Sequence, residues 1–137
     1  MIAFDKIKSQ GIFEQPEKNF FSNYFEFMRI QAHYYCAWIE QNGGGFLTEN
    51  NICINEEEYS VQCFLGKSKN DAYDIRRCNR LYGLENSDFC AIALLYGDDL
   101  LCLCRKDNHI YFYDTLQNAV QPIASDFENL LNLITTA

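Results

Sequence analysis

The sequence predicts an α+β domain, with a central, mostly antiparallel β-sheet packed by N-terminal helices and a C-terminal helix. Three observations carry this. Residues 89–113 contain three apolar runs, FCAIALLY, LLCLCR and HIYFY, separated by the short polar turns Gly97-Asp98-Asp99 and Asp107-Asn108. That is the pattern of an antiparallel meander. Residues 30–47 place Ile30, Tyr34, Ala37 and Trp38 at the i, i+4, i+7, i+8 spacing of one helical face, then stop on Gly43-Gly44-Gly45. Ser125-Asp126-Phe127-Glu128 matches a capping box, opening a last helix with Phe127, Leu130, Leu131 and Ile134 as its apolar stripe.

In chain order, Phe4 and Ile7 fit a short helix broken at Gly11, and Pro16 suits the first turn of a second helix. Residues 17–28 read as helix, with Phe20, Tyr24, Phe27 and Met28 sharing a face. In the 30–47 segment Trp38, the single tryptophan, should be largely buried. Asn42, Gly43 and Gly44 form the stop, because glycine accepts positive φ without a Cβ clash. Alternation in 51–55 and again in 59–63 predicts an N-terminal strand pair joined through Glu56-Glu57-Glu58. Residues 67–70 read as a loop. Residues 71–82 return to helical spacing through Ala72, Ile75, Cys78 and Tyr82, and Gly83 closes them. The strands of 89–113 are apolar at both parities, so both faces of that part of the sheet should be covered. Pro122 marks a loop before the last helix.

The 137 residues, 48% apolar and 15% aromatic, make one domain spanning 1–137 with a substantial core. Residues 1–11 lack the apolar core of a secretory signal, which points to the cytoplasm. The seven cysteines contain no CxxC pair and lie among apolar neighbours, as expected of reduced core thiols. Cys102 and Cys104 fall on one strand face, but two thiols alone make a poor zinc site. The glycine run follows a helix and lacks the lysine of a phosphate loop, so no cofactor is implied. His33 and His109 have no local nucleophile signature beside them. No catalytic residue, metal ligand or cofactor site is therefore expected, and the chain reads as non-enzymatic.

The net charge of −8 disfavours nucleic acid as a partner and favours a basic protein. Glu56, Glu57, Glu58, Asp98 and Asp99 in predicted turns are the candidate partner-binding residues. Asp71 and Asp74 occupy similar turn or helix-start positions and read as solvated.

The order of these motifs resembles the SUKH superfamily, shared by bacterial immunity proteins and fungal cell-wall-synthesis regulators. The resemblance rests on YYCAWIEQNGG at 34–44, on Phe64-Leu65-Gly66, and on the apolar run, Gly/Asp turn and second apolar run of 89–103. Ile110-Tyr111-Phe112-Tyr113-Asp114 and the Ile123–Phe127 opening of the last helix complete it. Ile30-Gln31 stands where the family usually has a Leu-Pro pair. The likeness covers roughly residues 30–134. It implies a structural role for Asp114 and a non-enzymatic role in binding protein: neutralisation of a cognate toxin, often a nuclease. The alternatives are a regulatory adaptor and, more distantly, a small cysteine-dependent enzyme.

Overall fold

A computed structural model describes residues 2–135. Three short helices lead into the sheet: α1 (Lys6–Ser9), α2 (Phe20–Phe27) and α3 (His33–Asn42). Strands β1 (Gly45–Phe46), β2 (Asn51–Ile54) and β3 (Glu57–Phe64) follow, then α4 (Ile75–Leu81). The meander is β4 (Phe89–Leu95), β5 (Leu100–Cys104), β6 (Ile110–Asp114) and β7 (Ala119–Ala124), and α5 (Phe127–Leu133) and β8 (Ile134–Thr135) close the order. Neighbouring strands run β7-β6-β5-β4-β3-β2-β8, with β1 also on β3, and every pair is antiparallel. The meander, the N-terminal strand pair and the α+β class are as the sequence predicts.

The sheet is not flat. Register shifts interrupt β3/β4, β4/β5 and β6/β7, and such bulges sharpen the local twist. The bend brings the β2–β3 hairpin against β6 and β7. Asn55, after β2, donates through Nδ2 to Gln121 Oε1 of β7 at 2.8 Å, and the Tyr59 and Phe112 rings lie 5.0 Å apart. Where β3 parts from β4, the buried Asn79 of α4 takes its place. Its Oδ1 accepts from the Ala91 amide at 2.7 Å, and its Nδ2 donates to the Ala91 carbonyl at 3.1 Å. A side-chain amide thus continues the strand hydrogen bonding of β4.

The core centres on an aromatic cluster between α3, β3 and α5. Trp38 lies 5.2 Å from Phe64, 4.9 Å from Phe127 and 5.6 Å from Phe4, and Tyr35 lies 4.6 Å from Phe127. Each such pair adds about 0.5–1.5 kcal/mol beyond area burial.

Several expectations are corrected. The buried face of α3 is Tyr35 and Ile39; Trp38 is half-buried and Tyr34 is 59% exposed, so the face lies one residue from the predicted one. Both pairs are apolar at i, i+4, and Trp38 shares the Phe64 and Phe127 contacts; the Phe25 ring of α2, 5.6 Å from Tyr35, turns Tyr35 to the buried centre. On α2, Phe27 is 64% exposed, and Phe21 and Phe25 point inward instead. The helix expected over 71–82 is confined to Ile75–Leu81, and Ala72 is exposed. Pro122 lies inside β7, a strand the sequence reading missed; an edge strand tolerates a residue without an N–H. Asp126, not Ser125, caps α5, accepting from the Asn129 amide at 2.8 Å, while Ser125 Oγ accepts from Asn129 Nδ2. Ile134 leaves the helix to pair with Ile52 in β8.

Asp74 is the largest correction. It is fully buried. As N-cap of α4 it accepts from the amides of Arg76 and Arg77, from the amide of Ser68 at 3.0 Å, and from the Arg76 guanidinium at 3.0 Å. Burial pushes its pKa up, but these donors, Arg76 first, hold it below the usual aspartate value.

The glycine stop has a second purpose. Gly43 is the left-handed C-cap of α3, and its amide bonds the Ile39 carbonyl at 2.7 Å, while Asn42 Nδ2 donates to the Trp38 carbonyl. Gly44 lies against the backbone of Gly66. A Cβ on Gly44 would meet Gly66 Cα at 2.9 Å and the Phe64 carbonyl oxygen at 3.0 Å. The Asn-Gly-Gly and Phe-Leu-Gly segments are therefore two halves of one backbone contact.

Candidate functional site

In this topology the β2–β3, β4–β5 and β6–β7 turns all fall at one end of the sheet. The first is a two-residue loop, Asn55-Glu56, with φ of 52° and 65°, the mirror-type turn that suits strand twist. Only Glu56 of the acidic triplet is in the turn. Glu57 and Glu58 are in β3 and exposed, on opposite faces by strand alternation. Glu57 Oε2 accepts from the Tyr59 hydroxyl at 2.9 Å.

The second turn carries Asp98, exposed, and Asp99, half-buried. The third is held by Asp114, whose Oδ1 accepts from the amides of Leu116 and Gln117 at 3.0 and 3.1 Å. Thr115 Oγ1 donates to the Asp98 carbonyl at 3.1 Å and ties the second and third turns together.

These groups share one electrostatic environment. Burial, then Asp114, then Asp98 raise the Asp99 pKa. The hydrogen bond to Glu57 chiefly raises Tyr59, with Asp99 and Asp114 adding to it. Tyr82, beside α4, is raised by burial first, and Asp98 and Asp99 contribute. The structure thus brings Glu57, Asp98 and Asp99 together and adds Asp114, expected only as structural. Glu56 extends the group at the hairpin tip, and Glu58 faces away. Among the described residues the ion pairs join Lys67–Glu17, Arg76–Asp74, Arg77–Asp71, Arg80–Glu85, Lys106–Asp88 and His109–Asp107. None of the six carboxylates at this end takes part in one.

Sequence reasoning missed Asp114 and Tyr59 as members of the group. A signal was present: the strand polarity puts these three turns at a common end. Tyr59 and Asp114 also have the inward parity of Phe112.

The thiols are arranged for packing. Cys63, Cys78, Cys90, Cys102 and Cys104 are buried, Cys36 is half-buried and Cys53 exposed. Burial pushes Cys78 and Cys90 up to about 12 and raises Cys36, Cys63 and Cys102. His109 Nδ1 lies 3.6 Å from Asp107, which also accepts the Tyr111 hydroxyl. Among the described residues no group of three metal-ligating side chains comes together, and no helix is long and apolar enough to cross a membrane.

No protein-family model and no curated protein matches the chain.

Proposed function

We propose that this chain is a non-enzymatic, SUKH-type immunity protein that acts in the cytoplasm by binding and neutralising a cognate toxin, a basic protein of nuclease type. The observation that carries the reading is the acidic end of the sheet, where Glu56, Glu57, Glu58, Asp98, Asp99 and Asp114 form no ion pair among the described residues. Nucleases present basic surfaces to bind phosphate, and a complementary acidic inhibitor associates fast through electrostatic steering. The raised thiols count against a cysteine nucleophile, which needs a stabilised thiolate.

The test is capture from lysate of the source cell at low and high salt. A single basic partner is expected, bound at low salt and weakened at high salt. Its association rate should fall at least tenfold for the double variant Asp98→Lys/Asp99→Lys. Several unrelated partners, or acidic ones, would sink the immunity reading in favour of an adaptor.

A further inference from the structure

The acidic end borders a different kind of surface. Along β6 the side chains alternate. Ile110 and Phe112 are buried, while Tyr111 and Tyr113 point to the opposite face and are half-exposed. Cross-strand register puts Tyr111 beside Pro122 and Tyr113 beside Val120, and Phe89 of β4 packs edge-on to both tyrosines at 5.3 and 5.9 Å. Pro122 is exposed, Val120 is 42% exposed, and Leu116 in the adjoining turn is 92% exposed. On the same face Cys102 and then Ala91 lie beside Tyr111, and Leu100 lies beside Tyr113, all fully buried.

The two tyrosines are held at both ends of the strip. Tyr111 donates its hydroxyl to Asp107 at 2.6 Å, and Tyr113 donates to Asn118 at 3.2 Å. Rings fixed in this way lose little freedom on binding, which is why tethered aromatics make strong contact centres. A guanidinium stacks well on such rings, and its methylenes suit apolar neighbours such as Val120 and Pro122. The turn that carries Leu116 and Asn118 also carries Asp114 and is bonded to Asp98. The strip therefore leads from an apolar, aromatic middle to the turn end of the sheet, where Asp98 is exposed and Asp114 lies on the opposite face of β6. That is the layout of an interface core with a charged rim.

We propose that this outer face of β6 and β7 is the energetic centre of the partner interface and receives an arginine-bearing extended segment of the basic partner. The proposal rests on the functional reading above. It separates two tasks: the carboxylates govern the association rate, and the rings govern the dissociation rate.

The test is an NMR titration of the labelled protein with a synthetic nonapeptide of alternating arginine and valine, against a control with glutamate for arginine. At low salt the Tyr111 and Tyr113 ring signals and the Val120 and Leu116 amides should shift saturably with the arginine peptide only. Tyr113→Ala should weaken binding at least tenfold. So should Val120→Lys, an exposed edge position that leaves the circular dichroism unchanged. Saturable shifts confined to residues 55–58 and 97–99 would overturn the aromatic site while leaving the charge-based reading standing. No arginine-specific shift anywhere would also overturn it, and capture of a salt-sensitive basic partner would then show that the functional reading survives alone.

Discussion

Replacing Gly44 by alanine tests the backbone contact that joins the glycine stop to the end of β3. Gly44 has φ of +87°, and an added Cβ would meet Gly66 Cα at 2.9 Å, Gly66 N at 3.0 Å and the Phe64 carbonyl oxygen at 3.0 Å. All three are backbone atoms, so no side chain can swing away, and α3 must lift off β3. Gly83 is the control. It has φ of +69° and nothing within 4 Å of an added Cβ. Both alanines incur the left-handed backbone cost of about 1–2 kcal/mol. Only Gly44→Ala adds overpacking, about 2 kcal/mol within the usual 1–3 range. At about 2.1 cal/mol/K of unfolding entropy per residue, that difference lowers Tm by about 7 °C more than Gly83→Ala does. Thermal unfolding of both variants by circular dichroism measures it. Equal losses would refute the idea that the contact, and not the φ angle alone, requires glycine at position 44.

Stability should respond oppositely to two aspartates. Asp74 has a folded pKa below its ordinary 3.8, so its contribution is complete above 3.8 and is lost as pH falls below 3.8 through the folded value. Asp99 has a folded pKa above 3.8, so its ionisation disfavours the fold at neutral pH and that cost is relieved as pH falls through the folded value towards 3.8. Asp99→Asn should therefore raise the unfolding free energy from urea melts at pH 7 by about a few tenths of a kcal/mol, and show no gain near pH 3; destabilisation at pH 7 would contradict this. The Tyr35 hydroxyl is buried without a partner among the described residues, so Tyr35→Phe should stabilise by about 1 kcal/mol in urea melts, and a loss would mean the hydroxyl is bonded. Ellman titration of the native protein should show Cys53 reacting fast, Cys36 slowly, and the other five thiols only on unfolding; fast reaction of a core thiol would refute the packing.

What could be read in the sequence was what depends on neighbours along the chain. The meander, the strand pair, the glycine stop and the acidic turns all follow from local pattern. The errors arise where distant segments choose. Tyr34/Trp38 and Tyr35/Ile39 are equally good apolar pairs until Phe25 of α2 packs on Tyr35. Asp74 looks like any helix-start aspartate, and its burial comes from the Ser68 loop and Arg76 closing over it. β7 carries Gln121 and Pro122, residues typical of loops, and is a strand because β6 pairs with it. Glu56, Asp98 and Asp99 were legible as turn residues, whereas Glu57 and Glu58 belong to β3. The grouping of Glu57, Asp98 and Asp99 with Asp114 and Tyr59 needed the strand polarity, and the aromatic strip needed the register of β6 on β7.

The position of α5 and β8 in chain order governs how the molecule is made. During synthesis β4, β5, β6 and β7 can zip together as successive hairpins, each closing a short loop at small entropic cost. The N-terminal half must wait. Trp38 and Tyr35 lack Phe127 until some ninety residues later, and β2 keeps an open edge until Ile134 reaches Ile52. A nascent chain stalled before residue 127 would carry a finished meander and an unsealed core, exposed to proteases and to edge pairing with other chains. The carboxylates of the meander turns and the tyrosine strip would already be in place on it. On the ribosome, the surface proposed for partner binding can therefore form before the fold is complete.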